Sequence, residues 1–267
     1  MVFWLKLLNV LLVFDYNFCM RKIGIAFCFI LLFTNCENIG DCVKSSGKMT
    51  SKEYKGLTFS TIIVNKRIGL VITQGDDYKV EIQTGENLIN DIEVNVVDNK
   101  LILEDNTTCN WVRDYGETTV YVTAPNLTDV FSKTERDITC NGVLSFPYLH
   151  LVSMNNYDGY SGTGTGDYIL NLNCESLLVE NNHLSRYFIT GKINEMSVNF
   201  YEGDGIFHGE NALANKVHFY HRGSNDMFLH PIESISGDIY NLGNVVCNSK
   251  PENIQVNQHY KGKLIFN

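Results

Sequence analysis

Seven short stretches decide the fold: FSKTERD (131–137), VSMNNYD (152–158), VENNHLS (179–185), VNFYEGD (198–204), VHFYHRG (217–223), IYNLGNV (239–245) and IQVNQHY (254–260). Each opens on an apolar residue and runs into polar or glycine-containing residues. Their starts lie 21, 27, 19, 19, 22 and 15 residues apart. A loose repeat near 20 residues is the length of one coil of a β-solenoid, in which every coil buries one apolar row and lies on the next at about 4.8 Å. One coil cannot satisfy its own backbone hydrogen bonds or hide its apolar face, so stability must come from the stack. Asn155, Asn182 and Asn257 share one slot of this alignment, a slot that also holds Tyr201 and Tyr220.

Working outward, residues 56–125 read as strands. KVEIQTG (79–85) puts Val80 and Ile82 on one face, and DIEVNVV (91–97) does the same with Ile92, Val94 and Val96. LILED (101–105) and TTVYVTAP (118–125) continue the period-two alternation of half-buried strands. ENLINDI (86–92) is the best candidate for a short helical turn. The strands of 56–125 and the closing KGKLIF (261–266) are expected to cover the ends of the stack, where open edges invite aggregation.

Met20 to Cys36 reads as a signal: Arg21 and Lys22, an apolar run over 23–33, then Cys36 as the lipidation site of a bacterial lipoprotein. Residues 1–19 fit a start placed too early, or the front of a longer anchor. This divides the chain into a signal peptide (1–35), a lipidated tether (36–55) and a β-solenoid domain (56–267). The expected location is the outer membrane, on its periplasmic or surface side. Of eight cysteines, Cys19 and Cys28 leave with the signal, and Cys42, Cys109, Cys140, Cys174 and Cys247 remain beside Cys36. Five is odd, so at least one is free. No C-x-x-C occurs, so neither a zinc site nor a thioredoxin-like motif is indicated.

The net charge of −9 argues against nucleic acid, whose binding rests on a basic footprint. Removal of 1–35 takes away Lys6, Arg21, Lys22 and Asp15 and makes the remainder more acidic still.

LTFSTIIVNKRIGLVITQGDDYKVEIQTGENLINDIEVNVVDNKLIL (57–103), VYVTAPNLTDV (120–130) and YKGKLIF (260–266) resemble the head GIN domain family of auto-transporter adhesins, common among Bacteroidetes lipoproteins. The resemblance implies an all-β, right-handed parallel β-helix-like fold and a surface or periplasmic protein of adhesin type, without naming a ligand. The family's small-Gly-small-Ser-Asp turn is degraded here. Asp137, Asp158 and Asp204 hold its aspartate slot, and Ser185, Gly223, Val245 and Tyr260 replace it elsewhere.

Four sets of residues carry candidate chemistry. Asp137, Asp158 and Asp204 could form a ligand or Ca²⁺ wall, or the acid/base pair of a β-helical carbohydrate-active enzyme; solvated turn aspartates are the plainer reading. Tyr157, Tyr160, Tyr201, Tyr220 and Tyr240 could form an aromatic contact strip for sugars or proteins, with Phe200 and Phe219 on the opposite face. His218 and His221 form H-x-x-H, with His208 and His230 nearby, but positions i and i+3 of a strand face opposite ways, so turn histidines are expected rather than a metal site. GTGTGD (162–167) precedes the strand-like YILNLN rather than a helix, so it reads as a turn and not as a phosphate loop. No nucleophile-elbow motif occurs. The expectation is a lipid-anchored envelope protein that binds a glycan or protein without a catalytic residue, metal or cofactor. The rival readings are the carbohydrate-active enzyme and a structural or envelope-stress component.

Overall fold

The structure, a computed structural model, describes residues 45–107 and 118–267. They belong to one compact unit. The signal, the Cys36 lipidation site, Cys42 and Cys109 lie outside the described residues.

The described chain is all-β. In order its strands are β1 (Met49–Lys55), β2 (Thr61–Val64), β3 (Ile68–Gln74), β4 (Lys79–Gly85), β5 (Ile92–Val97), β6 (Lys100–Asp105), β7 (Thr118–Ala124), β8 (Asp129–Ser132), β9 (Ile138–Cys140), β10 (Tyr148–Ser153), β11 (Asn156–Tyr157), β12 (Tyr160–Ser161), β13 (Tyr168–Asn181), β14 (Arg186–Phe200), β15 (Ile206–His221), β16 (Met227–Leu229), β17 (Pro231–Ile239), β18 (Val245–Cys247), β19 (Asn253–Gln258) and β20 (Leu264–Phe266). ENLINDI forms successive turns, Leu88 and Ile89 both donating to the Gly85 carbonyl, without becoming a helix.

Parallel pairing organises the sheet into two rows. The first runs β6–β2–β8–β10–β13–β14–β15–β17–β19. The second runs β7–β3–β9–β13–β14–β15–β16–β18–β20. The long strands β13, β14 and β15 serve both, their first halves in the second row and their second halves in the first. The chain therefore alternates between rows, laying one strand in each before returning. At the β6/β7 end the pairing turns antiparallel: β5 joins β6, β4 joins β7, and β1 joins β4. Of the strands in 56–125 expected to cover the end, only β4 and β5 do so, joined by β1 from the segment read as a tether; β2, β3, β6 and β7 are layers of the rows themselves. The closing segment does otherwise, for β20 pairs parallel with β18 as one more layer of the second row.

The repeat length read from the sequence is right, but its phase is not. Val198 lies beside Phe219 rather than Val217, and Ile254 lies beside Ile235 rather than Ile239. These slips, of two and four residues, are even and keep every side chain on its own face, so an apolar pattern of period two cannot detect them. Asn155 and Asn182 do meet, the Asn155 N–H donating to Asn182 Oδ1 at 3.0 Å, whereas Asn257 bonds Asp238.

The core lies between the rows. Val130, Leu151, Val179, Val198 and Phe219 follow one another across the first row and are fully buried. Ile138, Tyr168, Tyr187, Phe207 and Met227 do the same across the second. Each such side chain contributes roughly 1.5–3 kcal/mol by leaving water. Gly191 marks the passage of β14 from one row to the other. Its φ is +111°, and a Cβ there would fall 2.0 Å from the Leu172 carbonyl oxygen, so no other residue fits without moving the strand. Cys140, Cys174 and Cys247 are free thiols. Burial raises Cys174 to about 11 and Cys247 to about 12, so neither is a thiolate nucleophile at neutral pH.

Candidate ligand-binding face

On the outer face of the first row, alternation sends Leu149 and Leu151 inward and His150 and Val152 outward. Register places His150 directly beside Asp129 and Val152 directly beside Glu180. His150 is thereby held between two carboxylates, with Nδ1 3.1 Å from Asp129 Oδ1 and Nε2 3.0 Å from Glu180 Oε2. The Tyr157 hydroxyl donates to Asp129 at 3.1 Å, and the Tyr201 hydroxyl donates to Glu180 Oε1 at 2.5 Å. Burial works against a charged imidazole, but the bonds to Asp129 and Glu180 outweigh it and raise the His150 pKa. Burial likewise opposes the Asp129 charge, yet the bonds from His150, Thr128 and Tyr157 hold that carboxyl below its usual range. Glu180 is lowered chiefly by its bond from His150. The cluster sets an imidazole between two carboxylates that favour its protonated form.

The antiparallel hairpin of β11 and β12 closes over this part of the face. Under it Ile63, Phe131 and Val152 form a small buried cluster against which Tyr157 and Tyr160 pack. The Tyr157 ring meets Phe131 at 5.5 Å and His150 at 5.4 Å, both edge-on. Lys100 and Lys133 lie over the Tyr160 ring at 5.4 and 5.9 Å.

Beyond Glu180 the face is open, and an aromatic row continues along the stack. Tyr201 and Tyr220 are 5.6 Å apart between ring centres, Tyr220 and Tyr240 are 5.0 Å apart, and Tyr240 stacks on His259 at 4.2 Å. Burial and Glu180 raise the Tyr201 phenol to about 12. Tyr240 is 39 % exposed and His259 is exposed. Asp238 fixes the far end, accepting from Asn257 at 3.1 Å and lying 2.7 Å from His259 Nε2. The rings spend their faces on one another. What they offer to solvent is a row of edges and hydroxyls spaced at about one strand separation.

The sequence-nominated tyrosines thus split into two groups: Tyr201, Tyr220 and Tyr240 form the open row, while Tyr157 and Tyr160 belong to the hairpin that covers its beginning. The nominated aspartates do not form a wall. Asp137 accepts from the Asp167 N–H, Asp158 pairs with Lys100 in the hairpin turn, and Asp204 is bonded by Ser224 and Asn225. Asp137 precedes β9 and Asp204 precedes β15, which are three strand separations, about 14 Å, apart. The degraded turn has no common geometry to align them.

His218 points outward to Ser236 at 3.0 Å, while His221 points inward and is 1 % exposed. Burial drops His221 to about 4 against a weak opposing pull from the Asn225 backbone, and neither ring nitrogen meets a well-formed hydrogen bond among the described residues. His208 is sandwiched between Phe188 and Phe228 on the second row at 4.9 and 5.0 Å. His230 bonds the Glu210 carbonyl. Among the described residues no group of His, Cys, Asp and Glu is arranged to hold a metal ion. GTGTGD forms the approach to β13, Thr165 and Gly166 both donating to the Thr134 carbonyl.

Sequence reading missed Asp129, His150, Glu180 and His259. The alternation in YLHLVS already sets His150 apart from Leu149 and Leu151; its partners, 21 and 30 residues away, emerge only with the strand register.

Residues 58–251 match the family described as "Putative auto-transporter adhesin, head GIN domain". A crystal structure titled as a putative adhesin from Bacteroides fragilis is similar over 84 % of this chain and 100 % of its own, with TM-score 0.74 at 20 % identity. One from Parabacteroides distasonis, also titled a putative adhesin, covers 84 % of this chain and 99 % of its own with TM-score 0.63 at 16 % identity. A structure from the same species titled as a putative lipid binding protein covers 83 % of this chain and 100 % of its own, with TM-score 0.57 at 12 % identity. At these identities the likeness is one of fold. No curated protein sequence matches the chain. The family match spans most of the chain, and the protein belongs to the head GIN domain family of auto-transporter adhesins.

Proposed function

We propose that this chain is a non-catalytic adhesin-type protein of the cell envelope that binds an extended glycan along Tyr201, Tyr220, Tyr240 and His259. In this reading the two parallel rows are walls of a right-handed β-helix-like solenoid, carried outside the cell and anchored in the outer membrane by lipid on Cys36. One observation carries the binding proposal: an unbroken aromatic row, open to solvent, in which the Tyr220 and Tyr240 hydroxyls have no protein partner among the described residues. Sugar rings linked end to end repeat at about the length of one layer of the stack, so successive rings can meet successive hydroxyls. An extended peptide advances about 3.3 Å per residue and falls out of step.

Absence of catalysis is favoured by the chemistry of His150. Both of its nitrogens are committed to carboxylates, leaving neither to take a proton from a substrate. The test is an array of neutral and acidic glycans with protein ligands included, probed with and without Ca²⁺. Binding to β-linked oligosaccharides, unchanged by chelation and without release of shorter sugars, is expected. Capture of protein ligands alone, or cleavage of a glycan, would overturn the proposal. The anchor is checked separately, since Cys36→Ala should move the protein from the membrane fraction to the soluble one.

A further inference from the structure

A pocket of about 390 Å³ opens where β2, β6 and β8 end, beside the exit of the β11–β12 hairpin. That size lies within the range of small-ligand sites. Its walls carry Lys66 and Lys133, the hydroxyl residues Ser161 and Thr163, and Glu104 and Asp105. Asp105 is already engaged, accepting from the Thr107 N–H at 2.8 Å and pairing with Arg67 at 3.4 Å. Lys133 is different. It is half-buried and has no carboxylate within ion-pair distance among the described residues. Its stem lies against Gly162, where a Cβ would stand 2.4 Å from the lysine Cε, and its ammonium sits over the Tyr160 ring. Burial holds the Lys133 pKa below the usual lysine range despite the pull of Glu104. A cation partly stripped of water, with no carboxylate in contact among the described residues, is held ready for one from outside.

We infer that this pocket binds the carboxylate of an acidic sugar, with Lys133 as the principal contact, Lys66 as the outer one, and Ser161, Thr163 and Glu104 meeting the sugar hydroxyls. The mixed lining favours a sugar acid over a bare anion, because Glu104 repels an anion but accepts from hydroxyls. The inference rests on the glycan reading and places the acidic unit at a site separate from the open tyrosine row.

The probes are glucuronate, methyl glucoside and acetate, titrated against the full chain by calorimetry. Glucuronate should bind saturably, with methyl glucoside and acetate each at least about tenfold weaker, the weight of one charge-assisted contact. Lys133→Gln should lose about tenfold in glucuronate affinity at unchanged melting temperature, and Lys66→Gln less. Tyr220→Ala should leave glucuronate binding intact while weakening a neutral β-linked oligosaccharide, so the pocket and the row fail separately. If Lys133→Gln does not fold, Ser161→Leu at the rim makes the same test. The inference is overturned if wild type shows no saturable glucuronate binding, if acetate binds as well, if Lys133→Gln binds unchanged, or if Tyr220→Ala abolishes glucuronate binding.

Discussion

The outer face of the first row has two halves built on the same strand spacing, one closed and one open. Around Asp129, His150 and Glu180 the face lies under a hairpin, and its polar atoms bond one another. From Tyr201 to His259 nothing described covers it, and its rings keep hydroxyls to spare. The cause is a local insertion. Leu151 and Val179 are neighbours in the stack although 28 residues apart, whereas Val179, Val198 and Phe219 follow at 19 and 21. The extra chain after β10 makes the β11–β12 hairpin, and its two tyrosines turn one stretch of the face from surface into structure. Charge at His150 therefore belongs to stability, and aromatic edge at Tyr220 to recognition.

The largest effect expected from this contrast is at the two histidines. His150→Ala leaves Asp129 and Glu180 facing each other without their cation and should cost about 3 kcal/mol, read as a clear fall in the denaturation midpoint. His259→Ala, exposed at the end of the open row, should stay within about 0.5 kcal/mol of wild type. Equal losses would erase the distinction between the halves.

The closed half should also give stability a bell-shaped pH dependence. His150 is raised in the folded state, so its contribution is fully present below its ordinary 6.5 and is lost as pH rises from there through the raised value. Asp129 and Glu180 are lowered, so theirs is fully present above their ordinary 3.8 and 4.5 and is lost as pH falls through the lowered values. The cluster is strongest between 4.5 and 6.5. Urea midpoints measured across pH should show the alkaline decline in wild type and not in His150→Ala.

Smaller effects sharpen the contrast. Tyr157→Phe removes the hydroxyl bond to Asp129 and should cost about 1 kcal/mol with no change in glycan binding. Tyr220→Phe should do the reverse, leaving stability within about 0.5 kcal/mol and weakening the glycan severalfold. Paired melting curves and titrations of the two variants read both at once.

The all-β class and the layer length were legible in the sequence because apolar residues return at regular intervals between turn residues. Tyr201 and Tyr220 were legible as neighbours because they share a slot of the repeat, whereas Tyr240 sits two places earlier in its stretch and joins them only through the register. Register was not, since a two-residue slip between Val198 and Val217 preserves inward and outward faces. Nor was the fate of Tyr157, which shares the tyrosine pattern but lies on the inserted hairpin. Asp137, Asp158 and Asp204 looked equivalent in a degraded motif, and the structure gives each a different partner. His150 stood out only once Asp129 and Glu180 were known to flank it.

The most direct test of glycan recognition by the open row is calorimetric titration of the best oligosaccharide from the array into wild type and Tyr220→Ala/Tyr240→Ala, with melting curves of both. A fall in affinity of about thirtyfold or more is expected, from two ring-edge and hydroxyl contacts of about 1 kcal/mol each, with the double variant still folded. Undiminished affinity in a folded double variant would contradict it.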